Sequence, residues 1–244
     1  MLRFFRHIRK SLIEQNKIRT YLLYAVGEIL LVVIGILIAL QVNNWNEERK
    51  ALDELSQYTV SIISDIAQDT LLLQRTIYNL EELIAINEEV IHRINTEEAN
   101  LDTRIYLASE KFTPLNTGID NYNTSIFEAM LATGSLGLFK KEIRDKIFEL
   151  RQSQLNSLDP TNSDIYFNKA NEFGRYFPLF DSNIEDKTYA MKLRNEITDE
   201  RTFTMLFTGL VDYKSFMLNS YRSFYREVLA SSKELIEILK RRGA

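Results

Sequence analysis

The spacing of apolar positions changes character twice along the chain. From Tyr21 to Val42, 22 residues pass with only Glu28 and Gln41 strongly polar. A helix of that length rises about 33 Å, enough for a hydrocarbon core of about 30 Å. From Asn46 to about Glu98 the apolar positions are Leu52, Leu55, Ile62, Ile66, Leu73, Ile77, Leu80, Ile84, Ile91 and Ile94, with the polar Thr59, Asp69 and Asn87 filling the gaps. Steps of three and four alternate, with one irregular pair at 69–73–77. That spacing predicts a long helical stalk with a heptad seam and a stutter. The stalk either continues the apolar helix as one rod or breaks near Asp65 to Thr70, where "DIAQDT" is locally polar.

Beyond Asn100 the pattern shortens into punctuated helices. Thr124 or Asn123 can cap a helix that runs to about Thr133, and Gly134 suits the left-handed position that ends it. A second helix, about Lys140 to Leu158, puts Ile143, Ile147, Leu150 and Leu155 on one side, which makes an αα-hairpin. Asp159 and Pro160 end it and open a helix from about Asn162 to Phe177. The aromatic corner "FGRYFPLF" follows, read either as core packing or as a ligand pocket. A short helix is expected near Lys187 to Ile197. Thr198 and Asp199 then cap a last helix to about Lys240, with Leu206, Leu210, Tyr213, Met217, Tyr221, Phe224, Val228, Leu235 and Ile238 apolar and Ser231 filling a gap. Antiparallel to the stalk, it would give each apolar stripe a partner and return Lys240, Arg241 and Arg242 toward the membrane face. No strand-like alternation appears.

Composition sharpens this picture. Only 3 Pro and 8 Gly occur, none between Gly35 and Pro114, so chain breakers are missing where the long helices are expected. There is no Cys, which excludes disulfides, thiolate chemistry and Cys-based zinc sites. His7 and His92 are too few for a His-rich metal site. The net charge of −4 hides an asymmetry. Arg3, Arg6, Arg9, Lys10, Lys17 and Arg19 crowd residues 1–20 against Glu14 alone, whereas residues 45–100 are strongly acidic. A basic flank before the apolar stretch places the N-terminus in the cytoplasm and the rest outside. Tyr21 and Tyr24 at one end and Trp45 at the other suit interfacial anchors. Phe4, Phe5, Ile8, Leu12 and Ile13 give the arm an apolar half, as in a helix lying on the anionic inner leaflet. No small-residue cleavage site follows the apolar stretch, so it is expected to stay in the mature protein.

The run "FFRHIRKSLIEQNK…YLLYAVGEILLVVIGILIALQVNNWNE" resembles the N-terminal signature of a family of uncharacterised single-span membrane proteins found in Bacteroidota, in which a basic "FFRxIR" start leads to "YAxGEIxLVxxGILIALQxNNWNE". The likeness is close over about the first fifty residues and loose thereafter, chiefly around "MLATGSLGLFKKEIRDKI". It implies a topology and no reaction.

An intramembrane carboxylate costs about 2.5–3.5 kcal/mol at the bilayer centre, so Glu28 calls for a reason. It lies near the inner headgroups, or packs against neighbouring helices beside Gly27 and Gly35, or lines an ion path. Gln41 and Asn44, about a turn apart, form either a polar cap or a ring of amides in an oligomer. The acidic stalk face reads as solvated helix surface, since hard-cation sites need converging ligands. Nucleophile-elbow, zincin, phosphate-loop and dinucleotide motifs are all absent. The sequence thus predicts an all-α chain: a cytoplasmic basic arm over 1–20, a transmembrane helix over 21–43 continuing into a stalk over 44–100, and a distal extracytoplasmic antiparallel bundle over 101–244. The expected role is that of a structural, scaffold or accessory subunit of the inner membrane. An ion-driven or channel subunit using Glu28, or a periplasmic ligand sensor, is the alternative. The expected partners are the lipid bilayer, further copies of the chain and other membrane-complex subunits, with no nucleic acid, cofactor, metal or enzymatic activity.

Overall fold

The structure, a computed structural model, describes residues 18–96, 99–113, 118–159, 161–177 and 199–242. Outside them lie Arg3, Arg6, Arg9, Lys10 and Lys17 of the basic arm, Pro160, Pro178 to Phe180 of the aromatic corner, and the helix expected near 187–197. The side chains of Tyr21 and Tyr24 lie outside them too. Every regular element among the described residues is helical, so the chain is all-α. Among the described residues six α-helices follow one another: α1 (Ile18–Ile94), α2 (Leu101–Tyr106), α3 (Ser125–Thr133), α4 (Lys141–Ser157), α5 (Thr161–Tyr176) and α6 (Glu200–Arg242). One π-helical turn, Leu107–Lys111, extends α2, and a 3-10 turn, Ser135–Leu138, joins α3 to α4. The chain divides into two compact units, Met1–Gln57 and Tyr58–Ala244.

Within the second unit α1 passes through Asp65–Thr70 without a break. The polar side chains there do not compete with the helix. Thr70 Oγ1 donates back to the Ile66 carbonyl at 2.7 Å, and Asp69 turns inward to partners on other segments. The buried row of α1 is Ile62, Ile66, Asp69, Leu73, Ile77, Leu80, Ile84, Asn87, Val90 and Ile94. It differs from the sequence reading in that Val90 rather than Ile91 is buried, Leu55 and Thr59 are only half-buried, and Leu52 lies 66 % exposed. The opposing row on α6 runs Phe203, Phe207, Leu210, Lys214, Met217, Tyr221, Tyr225, Val228, Ser232, Leu235 and Leu239. Leu210, Met217, Tyr221, Val228 and Leu235 are buried as expected, while at the other positions the next residue is buried instead (Phe207, Lys214, Tyr225, Ser232, Leu239), since α6 packs against both α4 and α5 and buries a broad face. Asn87 bonds the Val211 carbonyl, Arg226 bonds Glu81, and Ile62 and Leu235 line one crevice, so α6 runs antiparallel to this part of α1.

Local chemistry sets the helix ends. Gly134 takes φ 77° and closes α3 in the left-handed conformation, as the sequence predicts. Thr124 occupies the cap position, but its hydroxyl donates to Glu128 Oε1 at 2.8 Å instead of capping the backbone. Asp159 Oδ1 accepts from the Thr161 amide at 2.9 Å, and Asp199 Oδ2 from the Thr202 amide at 2.7 Å, the two N-terminal caps of α5 and α6. On α4, Ile143, Ile147 and Leu150 are buried, but Leu155 is 47 % exposed and its neighbour Gln154 is buried in its place. Phe173 and Phe177 of the aromatic corner pack with Phe203 and Phe207 at centroid distances of 4.7–5.6 Å. Phe112 adds an edge-on contact to Phe207 at 5.6 Å. These rings are buried as core, and a crevice of about 180 Å³, lined by Phe173, Phe177 and Phe203 with Tyr176, Asp199, Thr202 and Leu206, opens beside them.

Gly134→Ala places a Cβ in the left-handed region and is expected to lower stability by about 1 kcal/mol, whereas Gly137→Ala, with open space and ordinary φ, leaves it nearly unchanged. Denaturant midpoints at unchanged slope measure both.

Candidate functional site

Among the polar residues that interrupt the α1 stripe, Asp69 accepts three hydrogen bonds from two other segments, whereas Asn87 makes one and leaves its Oδ1 without a partner. Asp69 is 2 % exposed. Its Oδ1 accepts from the Asn123 amide at 3.0 Å and from Asn123 Nδ2 at 2.8 Å, and its Oδ2 accepts from Gln154 Nε2 at 3.2 Å. One carboxylate thereby ties α1 to the segment before α3 and to α4. The bonds continue outward. Ser157 Oγ donates to the Gln154 carbonyl at 2.7 Å and meets the Tyr122 hydroxyl at 2.8 Å. Because the single serine proton is already committed, Tyr122 is the donor in that pair. Burial pushes the Asp69 carboxyl above its ordinary range and Asp65 adds to the push, while the Asn123 and Gln154 donors pull it down. Burial likewise raises the Tyr122 hydroxyl.

The described residues between the π-helical turn and α3, 112–113 and 118–124, form a strap tied to α6 at two points. At one end Lys214, 1 % exposed, donates from Nζ to the Thr113 carbonyl at 2.7 Å and stands 4.6 Å from the centre of the Phe112 ring. Further along, the Ile119 amide donates to the Tyr225 hydroxyl at 2.9 Å. Gly118 leaves room for that hydroxyl, since a Cβ there would meet it at 3.3 Å. Lys214 and Tyr225 share one face of α6 about 16 Å apart, so the strap is fixed along α6 before it reaches Asp69. Burial lowers the Lys214 ammonium to about 8. The crevice beside Asp69, lined by Asp65, Asn123, Arg151 and Gln154 among others, has a volume of about 30 Å³. That is room for a water molecule. What this arrangement does chemically is hold helices in register.

Of the site residues singled out in the sequence, Arg3, Arg6, Arg9, Lys10 and Lys17 lie outside the described residues, and the others, from Arg19 to Trp45, all lie on α1, so the fold brings no two of these together from different elements. Every Leu, Ile and Val from Leu22 to Val42 is exposed. This stretch is long and apolar enough to cross a membrane, and no other helix among the described residues is. Nothing lies within 4 Å of a Cβ built at Gly27 or Gly35. Glu28 is half-buried and engaged in an interaction; Arg19, Gln41 and Asn44 are exposed, and Trp45 is 63 % exposed. Among the described residues no group of three or more His, Asp or Glu could hold a metal ion. Sequence reasoning marked Asp69 and Asn87 only as gaps in a stripe, and passed over Lys214, Gln154, Tyr122 and Tyr225. A charged residue at a seam position, Asp69, was the readable signal; its partners lie 54 and 85 residues away, and the acceptor of Lys214 lies 101 away.

Two predictions test this reading. Asp69→Ala strands three N–H donors and is expected to cost about 2–4 kcal/mol, whereas Asp69→Asn keeps an acceptor for Asn123, lets Gln154 flip, and costs less than about 1 kcal/mol. A carboxyl raised by folding favours the fold below its unfolded value and loses that contribution as pH rises through its folded value. The wild type therefore gains stability relative to Asp69→Asn on acidification, read from thermal melts across the acid range. Lys214 has the opposite sign. Its lowered ammonium contributes stability that is fully present above 10.5 and lost as pH falls through about 8. Relative to Lys214→Met, the wild type gains about 1–2 kcal/mol between pH ~8 and ~9.5, measured by denaturant unfolding.

No curated protein and no solved structure matches the chain. Residues 28–197, more than half of the sequence and spanning most of the apolar stretch, the stalk and the distal hairpin, match a family of unknown function, DUF6090, and the chain belongs to that family.

Proposed function

We propose that the chain is a single-pass inner-membrane protein, with its basic arm in the cytoplasm and the unit Tyr58–Ala244 in the periplasm. It serves as a structural or accessory subunit of a membrane complex, assembles with further copies of itself, and carries no catalysis. The observation that carries this reading is the uncovered run of Leu, Ile and Val from Leu22 to Val42. Leaving such a run in water forgoes on the order of 20 kcal/mol of burial, more than the 5–15 kcal/mol that holds a typical domain together. A covering is therefore required, and the helix length suits a bilayer. Orientation rests on the Lys and Arg excess before the run. The scaffold role is supported by where the buried polar groups of the second unit are spent. Asp69, Asn87, Lys214 and Tyr225 each bond another segment of the chain, and the crevice beside Asp69 is the size of a water.

The absence of Cys gives a clean test of topology, because one introduced thiol is unique. Ser223→Cys, at an exposed position of α6, is expected to react with a membrane-impermeant maleimide in spheroplasts. Labelling only after lysis would reverse the orientation. Glu28→Gln is expected to leave the size of the detergent-purified complex and the ion permeability of proteoliposomes unchanged. A change in ion flux would transfer the protein to the transport class.

A further inference from the structure

One face of α1 carries Ile38, Gln41, Trp45, Arg49 and Leu52, at steps of three and four that return to the same side of a helix. All five side chains are exposed. Their order changes regularly along the axis: an aliphatic residue, an amide, an indole, a guanidinium. Ile38 to Arg49 spans about 16 Å, close to one leaflet of hydrocarbon plus the start of its headgroups. Helical side chains lean toward the N-terminus, so Arg49 reaches back one turn toward the apolar stretch. Its Cζ lies 5.9 Å from the centre of the Trp45 ring, and its Nη2 donates to Asn46 Oδ1 at 3.4 Å. Those two contacts orient the fork without neutralising it. Glu47, two residues earlier, is taken by Asn43 Nδ2 at 2.9 Å on another side of the helix, and Arg49 forms no ion pair among the described residues. Glu48 stands on the flank of this face and Lys50 well away from it.

A guanidinium held over an indole at the end of an apolar face is the chemistry that takes a phosphodiester: parallel N–H donors for two oxygens, with the indole at the ester level beneath. We propose that this face binds one phospholipid of the outer leaflet, its acyl chain along Ile38, its ester region at Gln41 and Trp45, and its phosphate on Arg49. The proposal rests on the membrane span argued above and deepens it by naming a lipid with a phosphate as the ligand of this turn.

Trp45 is the chain's only tryptophan, so its emission reports on this site alone. The full chain is reconstituted in vesicles of galactosyl diacylglycerol, which has no phosphate. Bromine-labelled phosphatidylglycerol, or bromine-labelled galactolipid, is then titrated in as a quencher. Phosphatidylglycerol is expected to occupy the site about fivefold more readily than the galactolipid, the ratio set by one basic residue at a membrane surface. Arg49→Gln brings the ratio to about one, Arg49→Lys keeps part of it, and Lys50→Gln, which removes the same charge from another side, leaves it unchanged. Equal ratios in wild type and Arg49→Gln overturn the proposal, as does an equal loss in Lys50→Gln. A Trp45 that is quenched by aqueous iodide and by neither lipid overturns it too. Protein that fails to float with the vesicles overturns the span itself, an outcome separable from all the others. A shift of Trp45 emission on adding inorganic phosphate to protein in detergent would assign the site to a soluble anion and overturn the lipid.

Discussion

The buried carboxylate of Asp69 is the constraint on which the second unit depends. An α-helix with a repeating apolar stripe is held strongly against its neighbours but weakly in register, because a slide of one heptad replaces Leu and Ile with Leu and Ile. Asp69 removes that freedom. Its two oxygens are satisfied only where the Asn123 backbone, the Asn123 amide and the Gln154 amide arrive together. Shifted by a turn, the carboxylate would lie in an apolar interior with no donor, at a cost of several kcal/mol. Energy of association comes from Leu73, Ile77, Leu80 and Ile84, and choice of register from one polar side chain among them.

The same division of labour recurs along the bundle. Asn87 donates from Nδ2 to the Val211 carbonyl at 3.2 Å, a side-chain bond inside an otherwise apolar contact between α1 and α6. Lys214 and Tyr225 do for the strap what Asp69 does for the hairpin: each supplies one directional bond to a backbone group that has no helical partner. The Thr113 carbonyl and the Ile119 amide lie outside any helix, and long side chains of α6 bond them. The raised hydroxyls of Tyr122 and Tyr225 and the lowered ammonium of Lys214 are the electrostatic record of this burial.

Helix type and ends were legible in the sequence because their causes are local. Gly134 ends α3 through its own backbone freedom, and Asp159 and Asp199 cap the helices that follow them through their own carboxylates. The α1 stripe was legible because the period of a helix is fixed. What failed were statements requiring knowledge of a neighbour. Ile91 and Val90 are equally apolar, and only the direction of the covering helix decides which is buried. Leu155 looked like core because it is leucine; Gln154 is core because Asp69 stands opposite. Lys214 was passed over because a charged side chain in a helix pattern reads as surface, and its acceptor at Thr113 lies 101 residues away. The apolar stretch from Leu22 to Val42, by contrast, needs no neighbour to be recognised, since its length and uniformity carry the inference.

The pairing of α1 with α6 has a consequence for biosynthesis. The bonds that join them bridge 124 and 145 positions, so the greasy side of the stalk emerges from the ribosome long before the helix that will shield it exists. For several seconds at ordinary elongation rates the nascent polypeptide presents Ile62 through Ile94 unshielded. Closure waits on α6, which makes this a late, long-range folding event. Polypeptides stalled before α6 should therefore be sticky.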